Sequence, residues 1–308
     1  MYIFGAGIAG LIAATQFQQA EVIEAGPENS TNHKALLRFR SSKVGDAVGI
    51  DFRKVRVHKG IWADGEFHQP SIMLANQYSQ KVINKLADRS IWNIEPSDRY
   101  IAPEDFIEQL INRVGKRITW SQAVNAEDIK SATDQNRKMI STVPMNIMAK
   151  ILGISTDQKF TSAPIKVERY RVRNADVFQT IYFPSPETNL YRASITKDLL
   201  ILEYIQSAEN PEANDDNDII EVLIAFGLTL FSVEKLETVS QRFGKIANID
   251  DDWRKRFIFE LSTHHDIYSL GRFATWRNIL LDDVIDDISV IKKLMNSNIY
   301  ERSKINVK

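Results

Sequence analysis

A glycine-rich turn with an acidic residue at a fixed distance after it is the feature of this sequence most closely tied to chemistry. Gly5, Gly7 and Gly10 follow directly on the apolar stretch Tyr2-Ile3-Phe4. Glycines in this pattern allow a tight turn and let the backbone approach a pyrophosphate closely. Glu24 lies at the distance at which a carboxylate accepts hydrogen bonds from an adenosine ribose. The spacing therefore predicts a dinucleotide-binding strand, turn and helix.

The positions around this turn complete the predicted site. A helix that starts near Ile8 and runs through Ala9 would direct its first N–H groups and its positive dipole end at the phosphates. The second strand is predicted to end at Glu24, with Ala25 following on the ligand side. Because only residues 11–23 separate the turn from Glu24, the helix and strand are short. A glycine-rich turn without a ligand is the alternative.

Composition excludes several other kinds of chemistry. The chain has 308 residues, 44% of them hydrophobic, and contains no cysteine, so disulfides, thiolate metal sites and cysteine nucleophiles are excluded. The histidines lack metal-ligand spacing, and we expect no metal site. A net charge of −1 gives no general case for nucleic acid as a partner, although a local basic groove remains an alternative. No apolar run reaches the length of a membrane span. Because a cleaved signal peptide would remove the glycine motif, we expect a cytoplasmic protein.

The order of sequence patterns predicts an α/β layer made from both chain ends, with a β-rich part inserted. We predict a cofactor domain from 1–60, 118–165 and 238–308, and a substrate domain from 61–117 and 166–237. Polar loops are expected at 30–46 and 207–217. The predicted elements are a hairpin at 50–67, helices at 71–88, 103–114, 218–231 and 282–295, short strands at 118–120, 139–143, 238–244 and 257–270, and a β-rich stretch at 164–204.

Motifs near the C-terminus carry a family resemblance. The run from Gly271 to Arg277, followed by 281–285, resembles the closing motif of UDP-galactopyranose mutases and related flavoproteins of the amine-oxidase type. The strand end Ile140-Ser141-Thr142-Val143-Pro144 is similar to a strand end of that superfamily. The segments 182–186 and 191–194, with Glu203, resemble its middle region. With the N-terminal fingerprint, the likeness extends over most of the chain.

The resemblance implies a doubly wound Rossmann-type domain that binds FAD, with a β-rich substrate domain over the flavin. It implies that Arg272 pairs with phosphate from a strand end, and that Asp282 and Asp283 lie at a helix start beside the ribityl chain and flavin. Surface ion pairing is the alternative for Arg272, and plain helix capping is the alternative for the two aspartates. The remaining positions that we assign to the cofactor site are Arg40, Pro144, Gly271, Trp276 and Val284.

Two residues are candidates for catalysis. His265 follows His264 near the end of a predicted strand and would face the flavin as a proton carrier. A buried, hydrogen-bonded ring beside an exposed one is the alternative. Arg192 would bind a substrate anion, against the alternative of a charge on the strand surface.

The expected function is flavin-dependent oxidation of a C–N or C–C bond in a polar substrate of small or medium size, or in a nucleotide-like one. A non-redox sugar-nucleotide mutase that uses reduced flavin is one alternative, and a flavin-binding scaffold without catalysis is another. A further alternative is oxidation of a modified nucleobase in nucleic acid. It would need the dense basic set of the sequence, which comprises Arg38, Arg40, Arg53, Lys54 and Arg56. The oligomeric state is left open.

Overall fold

A five-stranded parallel sheet carries the N-terminal glycine turn. The computed structural model describes residues 1–28, 37–206 and 216–297. The order of the strands in this sheet is β13-β7-β1-β2-β6, and every neighbouring pair is parallel. The strands are β1 (Tyr2–Phe4), β2 (Glu21–Ile23), β6 (Ile118–Thr119), β7 (Met139–Ser141) and β13 (Ile267–Ser269).

Helices cover both faces of the parallel sheet. One face packs against α1 (Ile8–Gln16), α2 (Lys43–Val48), α4 (Phe106–Val114) and α10 (Leu281–Met295). The other face packs against α5 (Ala126–Asp134), α6 (Met145–Ile151) and α8 (Asp251–His264). Successive strand residues point to opposite faces of the sheet, as Ile3 and Phe4 do. Because both faces are covered by helices, the strands are apolar on both sides. The predicted doubly wound layer built from both chain ends is confirmed. We call it the cofactor layer.

An eight-stranded mixed sheet forms the second unit. The order along its main path is β12-β8-β11-β10-β9-β3-β4, and β5 pairs with β3. The helices α3 (Ile72–Ile83) and α7 (Asp216–Phe226) pack against separate apolar clusters of this sheet. Its strands are β3 (Arg53–Ala63), β4 (Glu66–His68), β5 (Ser97–Ile101), β8 (Ser162–Val172), β9 (Val177–Tyr182), β10 (Leu190–Lys197), β11 (Leu199–Ile205) and β12 (Val233–Ile246).

The segment 257–270, which the sequence pattern predicts to be a strand, is mostly helical. Helix α8 runs through His264, and only the three residues of β13 are extended. Asp250 caps the helix by accepting a hydrogen bond from the backbone N–H of Trp253 at 2.7 Å. The buried residues Phe257, Ile258 and Leu261 have the spacing of one helix face. The strand prediction is therefore wrong, because helical spacing outweighs the local run of apolar residues.

Much of the predicted polar loops at 30–46 and 207–217 lies outside the described residues, and α2 occupies part of the first. Strand β3 starts the mixed sheet at Arg53, whereas α4 packs on α1 in the cofactor layer. The predicted domain boundaries otherwise stay a prediction. Among the described helices, none combines the length and the apolar character that crossing a membrane requires.

Candidate cofactor and substrate site

The glycine turn connects β1 to α1 and leaves open space at its centre. A Cβ added to Gly5 would lie 2.2 Å from the hydroxyl oxygen of Thr142, and one added to Gly10 would lie 2.0 Å from the carbonyl oxygen of Gly5. Gly5 also has a φ of 100°, which favours glycine. At Gly7, by contrast, an added Cβ would have no atom within 4 Å. Two glycines therefore permit close packing, and Gly7 leaves room for a ligand.

The first turn of α1 faces this open space. Gly7 is the N-cap residue, and no side chain caps the helix there. The intrahelical ladder begins with the N–H of Leu11 donating to the carbonyl of Gly7 at 2.9 Å. The N–H groups before Leu11 have no carbonyl within the helix to donate to. The turn thus presents backbone donors and the positive end of a helix dipole, which is the arrangement that binds phosphate.

Glu24 lies at the carboxyl end of β2, beside the turn. One carboxylate oxygen accepts a hydrogen bond from the N–H of Ala6 at 2.6 Å, and the other accepts from the N–H of Gly26 at 2.7 Å. An ionised carboxylate offers about four acceptor positions. Glu24 therefore holds the turn against β2 and retains acceptor positions for ribose hydroxyls. The residues present fit the adenosine end of a dinucleotide.

The C-terminal motif reaches the same edge of the parallel sheet. The N–H of Leu270 donates to the carbonyl of Ser141 at 2.8 Å, which continues the pairing of β13 with β7. Gly271 follows with a φ of 87°, and a Cβ added to it would lie 2.9 Å from the Cβ of Ala9. The two terminal glycine motifs are therefore in contact.

Arg272 is the first residue of the short helix α9 (Arg272–Thr275), not the end of a strand. Its guanidinium donates to the carbonyl of Ile279 at 2.9 and 3.2 Å, and to that of Gly244 at 3.5 Å. Burial lowers the pKa of Arg272 below its ordinary value, and the nearby Tyr191 offsets only part of this effect. The side chain braces the segment between α9 and α10. Its pairing with phosphate stays a prediction.

Asp282 and Asp283 begin α10, as expected, and both hold the segment around Arg40. Asp282 is buried and accepts hydrogen bonds from the N–H groups of Arg40 at 3.1 Å and of Ser41 at 2.9 Å. Asp283 accepts from the N–H of Leu280 at 2.8 Å and pairs with the Arg40 guanidinium. The capping alternative therefore describes Asp283 in this structure.

A second cluster of polar side chains lies on the mixed sheet. Arg192 on β10 pairs with the buried carboxylate of Glu203 on β11, and the Tyr191 hydroxyl donates to the same carboxylate at 3.1 Å. The Tyr78 ring on α3 lies 5.5 Å from the Tyr182 ring and 6.4 Å from the Tyr191 ring. Burial lowers the pKa of Arg192, but Glu203 outweighs it and holds that pKa well above its ordinary value. The same burial raises the pKa of Tyr191, so this phenol stays a proton donor.

The balance of charge around this cluster is positive. Three positive charges, those of Arg89, Arg192 and Arg272, lie close enough to interact with the cluster or with each other. Burial raises the pKa of Tyr78, and the charges of Arg89 and Arg192 offset part of this effect. The same two charges add to the lowering of the pKa of Arg272 by burial. Arg38 adds a further positive charge beside Arg192. Among the described acidic residues, Glu203 is the one whose charge acts on Arg38 and Tyr78. Since Arg272 belongs to the cofactor layer, the cluster lies where the mixed sheet meets that layer.

The remaining predicted site residues lie elsewhere or contribute differently. His265 precedes β13, whereas the glycine turn follows β1; because the strands are parallel, His265 lies at the opposite edge of the sheet. Burial and the neighbouring His264 lower the pKa of His265. This placement does not support its expected catalytic role. Trp276 and Val284 are buried in apolar clusters, Pro144 precedes α6, and Ala25 is exposed next to Glu24.

Two residues at the centre of this arrangement were missed as site residues. Thr142 donates its hydroxyl hydrogen to the carbonyl of Phe4 at 2.9 Å and abuts Gly5. Its place in the Ile140–Pro144 motif was the available signal. Arg38 bonds to strands β9 and β10, a role that no local pattern indicates. Within the described ranges, no group of three or more acidic or histidine side chains is arranged to hold a metal.

Comparisons with known proteins agree on the fold. No family model matches the sequence, and no curated protein matches it. The crystal structure of reduced UDP-galactopyranose mutase is similar with a TM-score of 0.63 and 14% identity, over 99% of this chain and 97% of the other. A fatty acid isomerase from P. acnes has a TM-score of 0.59 at 10% identity, over 95% and 97% of the two chains. An oxidoreductase from Methanosarcina mazei has a TM-score of 0.54 at 10% identity, over 95% and 99%. The likeness expected from the sequence is confirmed at the level of the fold: this chain has a fold similar to that of UDP-galactopyranose mutase.

Proposed function

We propose that this chain is an FAD-dependent enzyme. The observation that carries the proposal is the open space at Gly7, which lies beside an uncapped helix N-terminus and within reach of the Glu24 carboxylate. Neighbouring glycines close the turn so tightly that a Cβ would overlap backbone or side-chain atoms. A turn of this form leaves a site for a pyrophosphate. The likeness to mutase and oxidoreductase structures over nearly the whole chain supports FAD as the dinucleotide.

Each part of the cofactor has residues that would hold it. The turn at Gly5, Gly7 and Gly10 and the first N–H groups of α1 would bind the pyrophosphate, and Glu24 would bind the adenosine ribose. The first turn of α10, from Asp282, would lie against the flavin end. When bound, FAD supplies electron-transfer chemistry at its ring, which the protein has only to position and tune.

The chain's own contribution to the reaction would come from the cluster of Tyr78, Tyr182, Tyr191, Arg192 and Glu203. The Glu203 carboxylate fixes the direction of the Arg192 guanidinium, which leaves its other N–H groups to orient a substrate. The buried tyrosines exclude water from one side of the site. Because the surrounding balance of charge is positive, the cluster suits a substrate with a carboxylate or phosphate group better than a cationic amine.

Oxidation of a C–C or C–N bond in such an anionic substrate is the leading reaction. A non-redox mutase reaction on a sugar nucleotide is the second candidate, because the likeness to the reduced mutase covers both chains almost completely. The two differ in what they require of the flavin. Anaerobic bleaching of oxidised FAD by substrate supports the oxidase. Turnover only after prior reduction of the FAD, with no net change in its spectrum, supports the mutase. Flavin that binds but responds to neither treatment supports the scaffold without catalysis.

The nucleobase alternative has little support from the basic hairpin. Arg53 pairs with Asp176, while Lys54 and Arg56 both pair with Asp98. The other two basic residues of that set, Arg38 and Arg40, bond within the protein. Each of these five side chains therefore has partners within the protein. A small anionic molecule is the partner that we propose.

The absorption spectrum of the purified protein tests the proposal directly. We expect flavin bands in the blue, or their appearance in bound form when the colourless protein is titrated with FAD. A well-folded protein that takes up no FAD in this titration contradicts the proposed function.

A further inference from the structure

The segment from Arg38 to Ser41 is bonded to the mixed sheet at one end and to helix α10 at the other. The Arg38 guanidinium donates to the carbonyls of Gln179 on β9 at 3.0 Å and Ile195 on β10 at 2.6 Å. Three residues further on, the N–H of Ser41 donates to Asp282. The four residues therefore connect the two halves of the proposed site.

At the Arg38 end, one side chain ties two neighbouring strands. Gln179 and Ile195 are directly paired across β9 and β10, and Arg38 bonds to both carbonyls. It also donates to the hydroxyls of Thr180 at 2.6 Å and Thr196 at 2.8 Å. Burial and the neighbouring Arg192 lower the pKa of Arg38 to about 9, so the group stays protonated at neutral pH. A change in the position of Arg38 would therefore displace both strands, and with them Arg192 on β10.

At the other end, the carboxylate of Asp282 fixes the segment to the first turn of α10. It accepts hydrogen bonds from two consecutive backbone N–H groups and from the Ser41 hydroxyl at 2.9 Å. Between the two ends, Phe39 exchanges two backbone hydrogen bonds with Tyr100 of β5, at 2.9 and 3.0 Å. The segment is thus held along its length and can transmit a displacement instead of absorbing it.

We propose that residues 38–41 form a strap that couples occupancy of the cofactor site to the order of the substrate cluster, with Arg38 as its positioning residue. This inference rests on the proposed function, since FAD is the ligand that would order the first turn of α10. When that turn is ordered, the position of Asp282 is fixed, and with it the position of the strap. The strap then holds β9 and β10, the strand that carries Arg192. A coupling of this kind is reciprocal, so order at Arg192 would in turn favour FAD binding.

Hydrogen exchange measured by mass spectrometry, with and without FAD, tests the strap. In the wild-type protein, FAD should slow exchange both in α1 and in the amides of 177–197, the latter about fivefold or more. In Arg38→Ala, FAD should still slow exchange in α1, but the slowing at 177–197 should be lost. Asp282→Asn, which weakens the other end, should likewise keep the FAD-dependent slowing in α1 and lose the slowing at 177–197. It serves as the test if Arg38→Ala does not fold.

Arg117→Ala is the matched control. The Arg117 guanidinium also donates to backbone carbonyls, those of Ala14 and Ala20 at 3.0 Å, but its partners lie within the cofactor layer. This variant loses comparable hydrogen bonds and should keep the FAD-dependent slowing at 177–197. The strap is overturned if Arg38→Ala and Asp282→Asn retain that slowing, or if FAD binds the wild-type protein without it. A wild-type protein that binds no FAD overturns the proposed function, and the strap with it.

Discussion

Gly271 lies against Ala9, so that a Cβ added to Gly271 would come within 2.9 Å of the Ala9 Cβ. The two residues are far apart in the sequence, yet each belongs to a glycine motif that follows a strand of the parallel sheet. Their contact brings the two chain ends to one site. It also leaves room for no more than a hydrogen atom on Gly271.

Gly271→Ala should therefore destabilise the protein more than strain at a positive φ alone would. Gly65→Ala is the matched control, because Gly65 has a similar φ of 78° but no atom within 4 Å of an added Cβ. We expect the free energy of unfolding of Gly271→Ala to fall by about 1–3 kcal/mol more than that of Gly65→Ala, as for overpacking. Urea unfolding of both apoproteins measures the difference. Equal losses would show that the contact with Ala9 carries no cost.

Gly7→Val should abolish FAD binding and leave the fold intact. Gly7 has a φ of −64°, which valine adopts, and an added Cβ meets no protein atom. The free energy of unfolding of the apoprotein should stay within about 0.5 kcal/mol of wild type. The side chain would instead fill the space proposed for pyrophosphate. FAD titration followed by flavin fluorescence measures the loss, and full occupancy in this variant would remove the glycine turn from the site.

The part of the site predicted from the sequence is the part made by local chain geometry. A strand, a tight turn and a helix occupy consecutive residues, so the spacing of Gly5 and Glu24 specifies their arrangement directly. Arg38 shows the opposite case. Its partners Thr180 and Ile195 lie 142 and 157 positions along the chain, and only the packing of the mixed sheet brings them together.

The misplacement of His265 has a different origin. The run Phe257-Ile258-Phe259 resembles a buried strand when it is considered alone, and short apolar runs do not distinguish strand from helix. The capping residue Asp250 and the acidic first turn after it were the signals for a helix. Once α8 extends through His264, His265 falls before β13 and away from the edge that carries the glycine turn.

Lys81 should make stability depend on pH above neutrality. Burial lowers the pKa of Lys81 to about 7, against 10.5 for an ordinary lysine. Its ammonium donates to the carbonyls of Phe183 at 2.8 Å and Leu190 at 2.9 Å. Between about pH 7 and 10.5 the unfolded chain binds more protons than the folded one, so the free energy of unfolding rises with pH in that window.

Lys81→Met removes the titrating group and keeps most of the side-chain length. We expect the stability of the wild type relative to Lys81→Met to increase steadily from pH 7 to pH 10 in urea unfolding experiments. Lys43→Met is the control, because Lys43 is exposed and pairs with the exposed Asp286 on the surface. A difference between wild type and Lys81→Met that stays constant with pH would show that the folded-state pKa of Lys81 is not depressed.

Arg272→Ala should weaken FAD binding by more than its effect on the fold explains. The structure uses this guanidinium to hold the carbonyl of Ile279 just before α10, the helix proposed to bind the flavin end. A direct contact with phosphate would contribute about 1.5–3 kcal/mol, or roughly tenfold to over a hundredfold in affinity. Arg272→Lys should restore only part of this affinity, because an ammonium does not reproduce the two-pronged geometry of a guanidinium.

Arg113→Ala is the control that separates two contributions of Arg272, its effect on the stability of the fold and its effect on FAD binding. Arg113 donates to the backbone carbonyls of Val48 and Gly49, the latter at 2.7 Å, in the manner of Arg272 but away from the C-terminal motif. We expect both alanine variants to lose stability in urea unfolding, and only Arg272→Ala to lose FAD affinity in titration of the apoprotein. Equal FAD affinity in the two variants would leave Arg272 as a brace between α9 and α10, and the phosphate would then depend on the glycine turn and the first N–H groups of α1.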